Sequence, residues 1–337
     1  METNNEKVEA KSAVEKETYL NTCAKYHMKD FFNHINTRVN TPCIPTGFPR
    51  LNNYLDGGLY EGLYVIGAIS SMGKTSFVLQ IADQIASQGQ DILYFSLIMS
   101  RYEIMAKSIS RLTFEACKDQ RLAKTTRGIT DDKRYAAYDS EIKDLIELAE
   151  SEYIKFADKI YIHEGTGEIG INEVRAEIDK HIFFTGKAPI VVIDYLQLLS
   201  PYNPNASDKQ NIDKAVMELK RISRDKKIPI IVISSLNNMS YKDPVTMEVF
   251  KDSGGIEYSS DVFIGMQLKG FVDKAMENTP RDVEIKILKN RNGKTGDKLN
   301  FKYFQLFNCF VEEKVEEIPE QQERRVNESK RNPWSFK

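Results

Sequence analysis

The chain contains little of what marks several protein classes. It has only 4 cysteines, 18 glycines and 11 prolines among 337 residues, too little glycine and proline for a collagen-like or low-complexity chain. No apolar run reaches the roughly 18 residues of a membrane-spanning helix, and residues 1–17 lack the apolar core of a secretory signal. The sequence therefore predicts a folded protein of the cytoplasm without a membrane segment.

Cysteine and histidine are too scattered for metal or thiol chemistry. No two cysteines form a CxxC pair and no two histidines form an HExxH motif. We therefore expect neither a structural zinc site nor a disulfide framework, and catalytic zinc or a histidine-activated nucleophile is disfavoured. The residues concerned are Cys23, Cys43, Cys117, Cys309, His27, His34, His163 and His181.

Neither sign of charge dominates. The chain has 47 lysines and arginines against 49 aspartates and glutamates, a net charge of −2. This balance excludes a protein that is basic over its whole surface. A local basic groove for nucleic acid stays open, because phosphate contacts depend on where the charges lie and not on their sum.

Apolar runs and amphipathic helical patterns alternate from Pro45 to about residue 312. This alternation predicts βαβ units, and therefore an α/β fold with a mostly parallel sheet. The predicted strands are Leu63–Ala68, Ile92–Leu97, Lys159–His163, Ile190–Ile193, Ile230–Ser234, Val262–Met266 and Glu284–Leu288. The predicted helices are Thr75–Ser87, Arg101–Cys117, Asp131–Ala157, Ile171–Phe184 and Lys209–Lys226.

The C-terminal end of this region has a different pattern. Apolar runs at Glu284–Lys289 and Lys298–Tyr303 flank the turn dipeptide Asn292-Gly293, which predicts a β-hairpin. Glutamates and then basic residues fill positions 312–337, which is typical of a charged, flexible tail. The sequence is thus divided into an arm (residues 1–44), one α/β domain (residues 45–311) and a tail (residues 312–337).

The arm has apolar side chains at three- and four-residue steps, as in a helix with one apolar face. Such a helix packs on its own domain or docks on a neighbouring subunit, and the sequence leaves both open. The side chains are Tyr19, Leu20, Ala24, Met28, Phe31, Phe32 and Ile35.

A strand, a loop and a helix follow one another around Gly73-Lys74-Thr75, as in a phosphate-binding P-loop. Gly73 lets the backbone approach a phosphate, Lys74 reaches the β- and γ-phosphates, and the Thr75 hydroxyl ligates Mg²⁺. Ala68 stands where the motif usually begins with glycine. A chance Gly-Lys-Thr is disfavoured by the flanking elements. We predict ATP and Mg²⁺ as cofactors, held by Ser70, Ser71, Met72, Gly73, Lys74, Thr75 and Ser76.

A second nucleotide element ends the apolar strand Ile190–Ile193. Asp194 follows directly, which places a carboxylate at the carboxyl edge of a buried parallel strand, where α/β sheets bind ligands. There it would hold Mg²⁺ directly or through water. The alternative is an aspartate that caps a turn or a helix.

Several segments, in this order and at these spacings, resemble the C-terminal ATPase domain of the DnaB-like family of replicative hexameric DNA helicases. The resemblance covers about residues 45–305, and alanine is also common in that family at the position of Ala68. The segments are Thr46–Phe48, Leu55–Gly62, Ser71–Thr75, Phe95–Leu97, Ala106–Leu112, Ile193–Leu199, Glu218–Lys227, Ser253–Glu257 and Lys289–Gly296.

The resemblance implies a RecA-like fold, a homohexameric ring, ATP between neighbouring subunits, single-stranded DNA in the central channel and 5′–3′ unwinding. Lys74 and Thr75 match the phosphate and Mg²⁺ ligands of the family, and Asp194 matches its second carboxylate. Arg291 matches a finger offered to a neighbour's γ-phosphate, with Lys289 assisting; such a finger is worth ~10³–10⁵ in rate. A primase or helicase loader is a candidate partner, and residues 1–44 resemble the family's inter-subunit linker rather than its separate N-terminal domain.

DNA-binding residues also follow from the resemblance. Lys251, Asp252 and Gly254 align with a loop that touches the DNA backbone. A lysine and backbone N–H groups there would contact phosphates without reading sequence. Lys209, in the polar segment 201–214, is a second candidate, for which an ordinary surface loop is an equal alternative.

Two departures from the family bear on hydrolysis. Ile98 replaces the glutamate that orients the attacking water, and loss of a general base typically costs ~10²–10⁴ in rate. Ser235 stands in place of a phosphate-sensing glutamine and Asn238 in place of a common arginine, so only Ser235 and Asn237 offer shorter-reaching hydrogen bonds. We therefore expect weak hydrolysis, or rescue by another carboxylate such as Glu103.

Three functions remain open. The first is an ATP-dependent DNA helicase in the replication of a chromosome, phage or mobile element, favoured by Lys74, Asp194, Lys289 and Arg291. The second, favoured by Ile98, is a weakened helicase paralogue that binds ATP and DNA as an assembly or accessory module. The third, a RecA-like recombination or clock-type ATPase, is disfavoured by the segments at 194–199 and 289–293.

Overall fold

A computed structural model describes residues 15–38, 43–117, 119–165, 167–235, 245–246, 254–269, 280–296 and 298–313. The chain divides into two units, Met1–Cys43 and Ile44–Lys337. In the first unit, helix α1 (Ala24–Arg38) carries five of the seven residues of the apolar stripe, and its Phe31 and Phe32 rings meet edge to face at 5.7 Å. Among the described residues no helix is long and apolar enough to cross a membrane.

The second unit is built on one nine-stranded sheet with the order β3-β2-β4-β5-β1-β6-β7-β8-β9. Neighbours from β3 to β6 are parallel, and β6 to β9 are antiparallel. The strands are β1 (Gly62–Ala68), β2 (Ile92–Ser96), β3 (Ile160–Glu164), β4 (Ile190–Asp194), β5 (Pro229–Ser235), β6 (Val262–Leu268), β7 (Arg281–Asn290), β8 (Lys298–Phe304) and β9 (Cys309–Glu312). The predicted parallel sheet and the predicted hairpin are both present.

Helices connect the parallel strands. Two 3₁₀ turns, Leu196–Leu198 and Gln305–Phe307, follow β4 and β8. The α-helices of this unit are α2 (Pro49–Tyr54), α3 (Lys74–Ala86), α4 (Arg101–Ala116), α5 (Thr126–Thr130), α6 (Asp132–Ala136), α7 (Ser140–Ala157), α8 (Ile171–Thr185), α9 (Asp208–Lys226) and α10 (Gly254–Ser259).

The sheet has an apolar core on each face. In β1, Leu63 and Val65 face the core shared with α8, α9 and α10, whereas Tyr64 and Ile66 face the core shared with α2, α3, α4 and α7. Because side chains alternate along a strand, a strand buried on both faces reads as one continuous apolar run. This explains why the sequence alone locates the central strands within a residue or two.

Local capping accounts for one wrong boundary. The helix predicted at Asp131–Ala157 is two helices, because Asp131 caps α6 and Asp139 caps α7. The Asp139 carboxylate accepts a hydrogen bond from Ile142 N at 3.0 Å, which starts a new helix three residues after α6 ends. The prediction also omitted β9 and the short helices α2, α5 and α10.

The Asp139 cap gives a test of this division. We expect Asp139→Ala to lower the free energy of unfolding by about 1 kcal/mol, the usual value of an N-cap side chain. Asp139→Asn is the matched control, because asparagine caps as well as aspartate. Urea unfolding measures both, and equal stability of the alanine and asparagine variants would contradict the cap.

Candidate functional site

The phosphate loop lies between the carboxyl end of β1 and the amino end of α3. Met72 is buried and anchors the loop, while Ser70 and Ser71 are exposed. Ser71 and Gly73 are left-handed, with φ of 63° and 84°. The loop therefore turns sharply and places the first N–H groups of α3 at its mouth, the arrangement that binds phosphate.

Gly73 is also required by its surroundings. A Cβ built there would lie 2.6 Å from Cε1 of Tyr303 and 3.0 Å from Cζ of Phe310. The Ser76 hydroxyl donates to Asn308 Oδ1 (3.1 Å) and accepts from the Tyr303 hydroxyl (3.3 Å). The loop is thus backed by strands β8 and β9, a contact more than 200 residues along the chain that no local sequence pattern indicates.

The Lys74 ammonium lies inside the loop. Its Nζ donates to the carbonyls of Ala68 (2.8 Å) and Ile69 (2.9 Å). Burial lowers the pKa of Lys74 to about 8, against the opposing charge of Asp194. Main-chain carbonyls only partly replace the water around this charge. An anion bound in the loop would therefore interact strongly with the positioned ammonium.

Asp194 ends β4 as predicted and is buried. Its Oδ2 accepts from the Tyr94 hydroxyl at 3.2 Å. Burial raises the pKa of Asp194, while hydrogen bonds from Thr75 and Tyr94 and the charges of Lys74 and Lys107 oppose the rise. Lys74, Thr75 and Asp194 are therefore brought together at one carboxyl edge of the sheet.

Lys107 is a further cation beside this carboxylate. Its Nζ donates from α4 to Asn308 Oδ1 at 2.7 Å. Asn308 Oδ1 therefore accepts hydrogen bonds from both Lys107 and Ser76. Burial lowers the pKa of Lys107, opposed by Asp194 and Glu103. The sequence placed this lysine within a helix but gave no sign of its partner, which lies 201 residues away.

The segment after β2 contains Ile98 and Glu103. Ile98 is 60% exposed. The Glu103 carboxylate accepts from Ser100 N (2.8 Å) and Oγ (3.0 Å), as part of the capping box of α4. Glu103 is therefore bound to the start of its own helix.

The end of β5 is joined to the segment after β4. Gln197 donates to Ser234 Oγ (3.0 Å) and to Ser235 O (3.3 Å), and accepts from Ser235 N (3.2 Å). Asn237 and Asn238 lie outside the described residues. Gln197 belongs to the segment at 193–199 used for the resemblance, where no role was assigned to it.

The hairpin residues lie beside the amino end of β1, opposite the end that continues into the phosphate loop. Lys289 Nζ donates to the carbonyls of Glu257 (2.5 Å) and Ser260 (2.6 Å), and burial together with the charge of Arg291 lowers its pKa. Asn290 Nδ2 donates to Tyr54 O at 3.0 Å. Arg291 N donates to Asp261 O at 2.9 Å, while half of the Arg291 side chain stays exposed.

The two sets of residues are separated by the length of a strand. Arg291 is anchored beside Leu63 through Asp261, whereas Lys74 is anchored on Ala68. A strand rises about 3.3 Å per residue, so the steps from Leu63 to Ala68 span about 17 Å. Lys74 and Arg291 of one chain therefore do not form one site.

The candidate DNA-binding residues are described in part. Lys209 is exposed in the first turn of α9, and Gly254 begins α10. The two helices meet where Gly255 N donates to Asp213 Oδ1 at 2.8 Å. Lys251 and Asp252 lie outside the described residues.

Comparison with known proteins decides the family. Residues 43–312 match the sequence model of the DnaB-like helicase C-terminal domain. The chain belongs to this family. "Replicative DNA helicase DnaB" of Helicobacter pylori is 29% identical over 290 residues, covering 75% of this chain and 56% of that protein. "Replicative DNA helicase DnaC" of Bacillus subtilis is 27% identical over 274 residues, with 80% and 56% covered.

The chain thus spans about half the length of these curated DnaB-like relatives. Among solved structures, one that consists of an ATPase domain superposes with a TM-score of 0.72 at 24% identity, covering 87% of this chain and 99% of that one. A DnaB-like replicative helicase, described with its interactions with primase, gives 0.71 at 24% identity, with 85% and 66% covered. The expected RecA-like fold is confirmed.

Two glycines at either end of α3 test the packing of the DnaB-like phosphate loop. Gly73 and Gly89 share a left-handed backbone, with φ of 84° and 87°, but a Cβ at Gly89 meets nothing within 4 Å. Gly89→Ala should cost about 1–2 kcal/mol through backbone strain alone. Gly73→Ala should cost about 1–3 kcal/mol more, because the new methyl group overpacks the core. Urea unfolding compares them, and equal losses would contradict the contact with Tyr303.

Proposed function

We propose that this chain is the motor domain of an ATP-driven DNA helicase that acts as a ring of identical subunits, with each ATP bound between two neighbours. One observation carries the proposal. The phosphate-binding residues lie beyond the carboxyl end of β1, whereas the main chain of the hairpin arginine is bonded beside the amino end of that strand. A site that uses both therefore needs Lys74 from one copy and Arg291 from the next.

The residues of the loop suit ATP and Mg²⁺. Lys74 supplies a partly buried ammonium, α3 supplies N–H groups, and Gly73 lets the loop turn closely against Tyr303 and Phe310. The Thr75 hydroxyl and the Asp194 carboxylate supply the oxygen ligands that Mg²⁺ prefers. Bound Mg²⁺ would neutralise charge on the phosphates during phosphoryl transfer.

The chain's own residues prepare the site in two ways. When ATP binds, Lys74 would exchange two carbonyl partners for negatively charged phosphate oxygens. This would stabilise the ammonium, whose pKa is lowered by burial in the free protein. Asp194 is kept oriented by the Tyr94 hydroxyl at 3.2 Å. Arg291, anchored through its main chain, would offer the neighbour's terminal phosphate a guanidinium that loses little entropy on binding.

Ile98 supports the second candidate function, a weakened paralogue that binds ATP and DNA as an assembly module. An isoleucine side chain accepts no proton, and the nearby Glu103 is engaged in capping α4. Tight ATP binding with slow hydrolysis is therefore part of the proposal. Hydrolysis still drives unwinding if another group orients the water.

Single-stranded DNA would contact the ring through Lys209 and the segment from Lys251 and Asp252 to Gly254. The contact of α9 with α10 at Gly255 supports this, since it brings the described ends of both segments to one place. A primase or helicase loader remains a proposed partner. The support for it is that a structural relative is described with its interactions with primase.

Comparison of the chain with its Ile98→Glu variant decides between motor and module. We expect slow ATP hydrolysis in the presence of single-stranded DNA, and a rise of about 10²-fold or more in the variant if a general base is restored. Steady-state phosphate release measures both. Lys74→Ala is the control for contaminating ATPase activity.

Strand displacement on a forked duplex completes this test. Ordinary helicase rates in the unmodified chain, unaffected by Ile98→Glu, would show that Ile98 impairs nothing. If both proteins bind ATP and DNA but neither displaces the strand, the chain functions as an assembly module and not as a motor.

Mixed assemblies test the shared site. Lys74→Ala and Arg291→Ala should each abolish basal ATP hydrolysis, because each removes one half of every interface. Mixing the two variants should restore activity, since some interfaces then combine an intact Lys74 with an intact Arg291. Activity no higher than that of the separate variants would contradict a site made by two copies.

A further inference from the structure

Asp261 links the start of β1 to the hairpin arginine. It lies between α10 and β6, with a side chain that is 13% exposed. Its main chain pairs on both sides, since Asp261 N donates to Leu63 O and Asp261 O accepts from Arg291 N, both at 2.9 Å. The residue is therefore fixed in place before its carboxylate is considered.

The two carboxylate oxygens of Asp261 have different partners. Oδ2 accepts from Leu63 N (2.7 Å) and from Lys220 Nζ of α9 (2.5 Å). A Cβ at Gly62 would lie only 3.1 Å from Oδ2, so this side is closely packed. Oδ1 is then directed to Arg291, whose NH1 lies 3.4 Å away.

This arrangement leaves the guanidinium held on one side and open on the other. One nitrogen faces Oδ1, while the side chain as a whole is 52% exposed. The neighbouring Lys289 ammonium donates its hydrogen bonds to the carbonyls of Glu257 and Ser260. A planar guanidinium has further donors for a phosphate while one edge is held.

We propose that Asp261 is a positioning residue for the Arg291 finger, and that its main-chain pairs and the hydrogen bond from Leu63 N fix the carboxylate so that Oδ1 faces the guanidinium. The inference rests on the proposed function, because it gives Arg291 its role at the neighbour's phosphate. It adds that Asp261 acts on the site of the next subunit and leaves the phosphate loop of its own chain unaffected.

Asp261→Asn separates positioning from folding. The amide oxygen of asparagine can still accept from Leu63 N and Lys220, which retains the packed side. The amide nitrogen then replaces Oδ1, so a donor faces the Arg291 donor and the hold is lost. We expect kcat to fall about 10- to 100-fold, the cost of a misplaced catalytic group, with KM for ATP unchanged.

Lys220→Gln is the matched control. It removes the other cation from the same carboxylate but leaves Oδ1 and Arg291 in place. The partly exposed Lys220 pair should be worth at most about 1 kcal/mol, so kcat should stay within about fivefold. A loss in Lys220→Gln equal to that in Asp261→Asn would show that general disturbance at Asp261, and not the hold on Arg291, matters.

Mixed assemblies assign the defect to one side of the interface. The ATPase rate of Asp261→Asn mixed with Lys74→Ala should exceed the mean rate of the two separate variants, because the arginine finger of the Lys74→Ala subunit is intact. Asp261→Asn mixed with Arg291→Ala should not. The reverse pattern, or an Asp261→Asn variant with unchanged kcat, would overturn the inference. Failure of Lys74→Ala and Arg291→Ala to complement each other would instead remove the shared site itself.

Discussion

Strand β1 is the constraint on which the rest of the site depends. It is buried along its whole length between β5 and β6, with an apolar core on each face. One end continues into the phosphate loop, and the other is bonded to Asp261 beside Arg291. A fully paired strand does not shorten or bend easily, so the distance between the two functional ends is fixed. The fold itself thus keeps Lys74 and Arg291 of one chain apart.

Buried charges are arranged around the two ends in different ways. At the phosphate loop, the pKa of Lys74 is lowered and that of Asp194 raised by burial, so both groups gain when an anion and a cation bind there. At the other end, Lys289 is satisfied by carbonyls and Asp261 by Lys220 and Leu63. In the function that we propose, the first end receives the nucleotide and the second presents Arg291 to a neighbouring subunit.

The sequence predicts the parts of this structure that local chemistry determines. Continuous apolar runs locate β1, β4 and β5, and Gly73-Lys74-Thr75 marks the loop, because strand burial and close phosphate approach each demand particular residues. Asp139 is also a typical N-cap residue, so the sequence indicates the start of α7, although the predicted helix Asp131–Ala157 runs through it. The roles of Asp261, Gln197 and Lys107 were not readable, because their contacts with β1, β5 and the turn after β8 join residues 198, 37 and 201 positions apart and create no local pattern.

We infer that the catalytic site requires a second copy of the chain. The most direct measurement is the mass of the assembly in solution, with and without Mg²⁺ and ATP. We expect a ring, a hexamer by the family resemblance, that ATP stabilises because nucleotide is bound by two subunits at once. A monomer under all conditions would contradict it, since Arg291 would then never reach a phosphate held by Lys74.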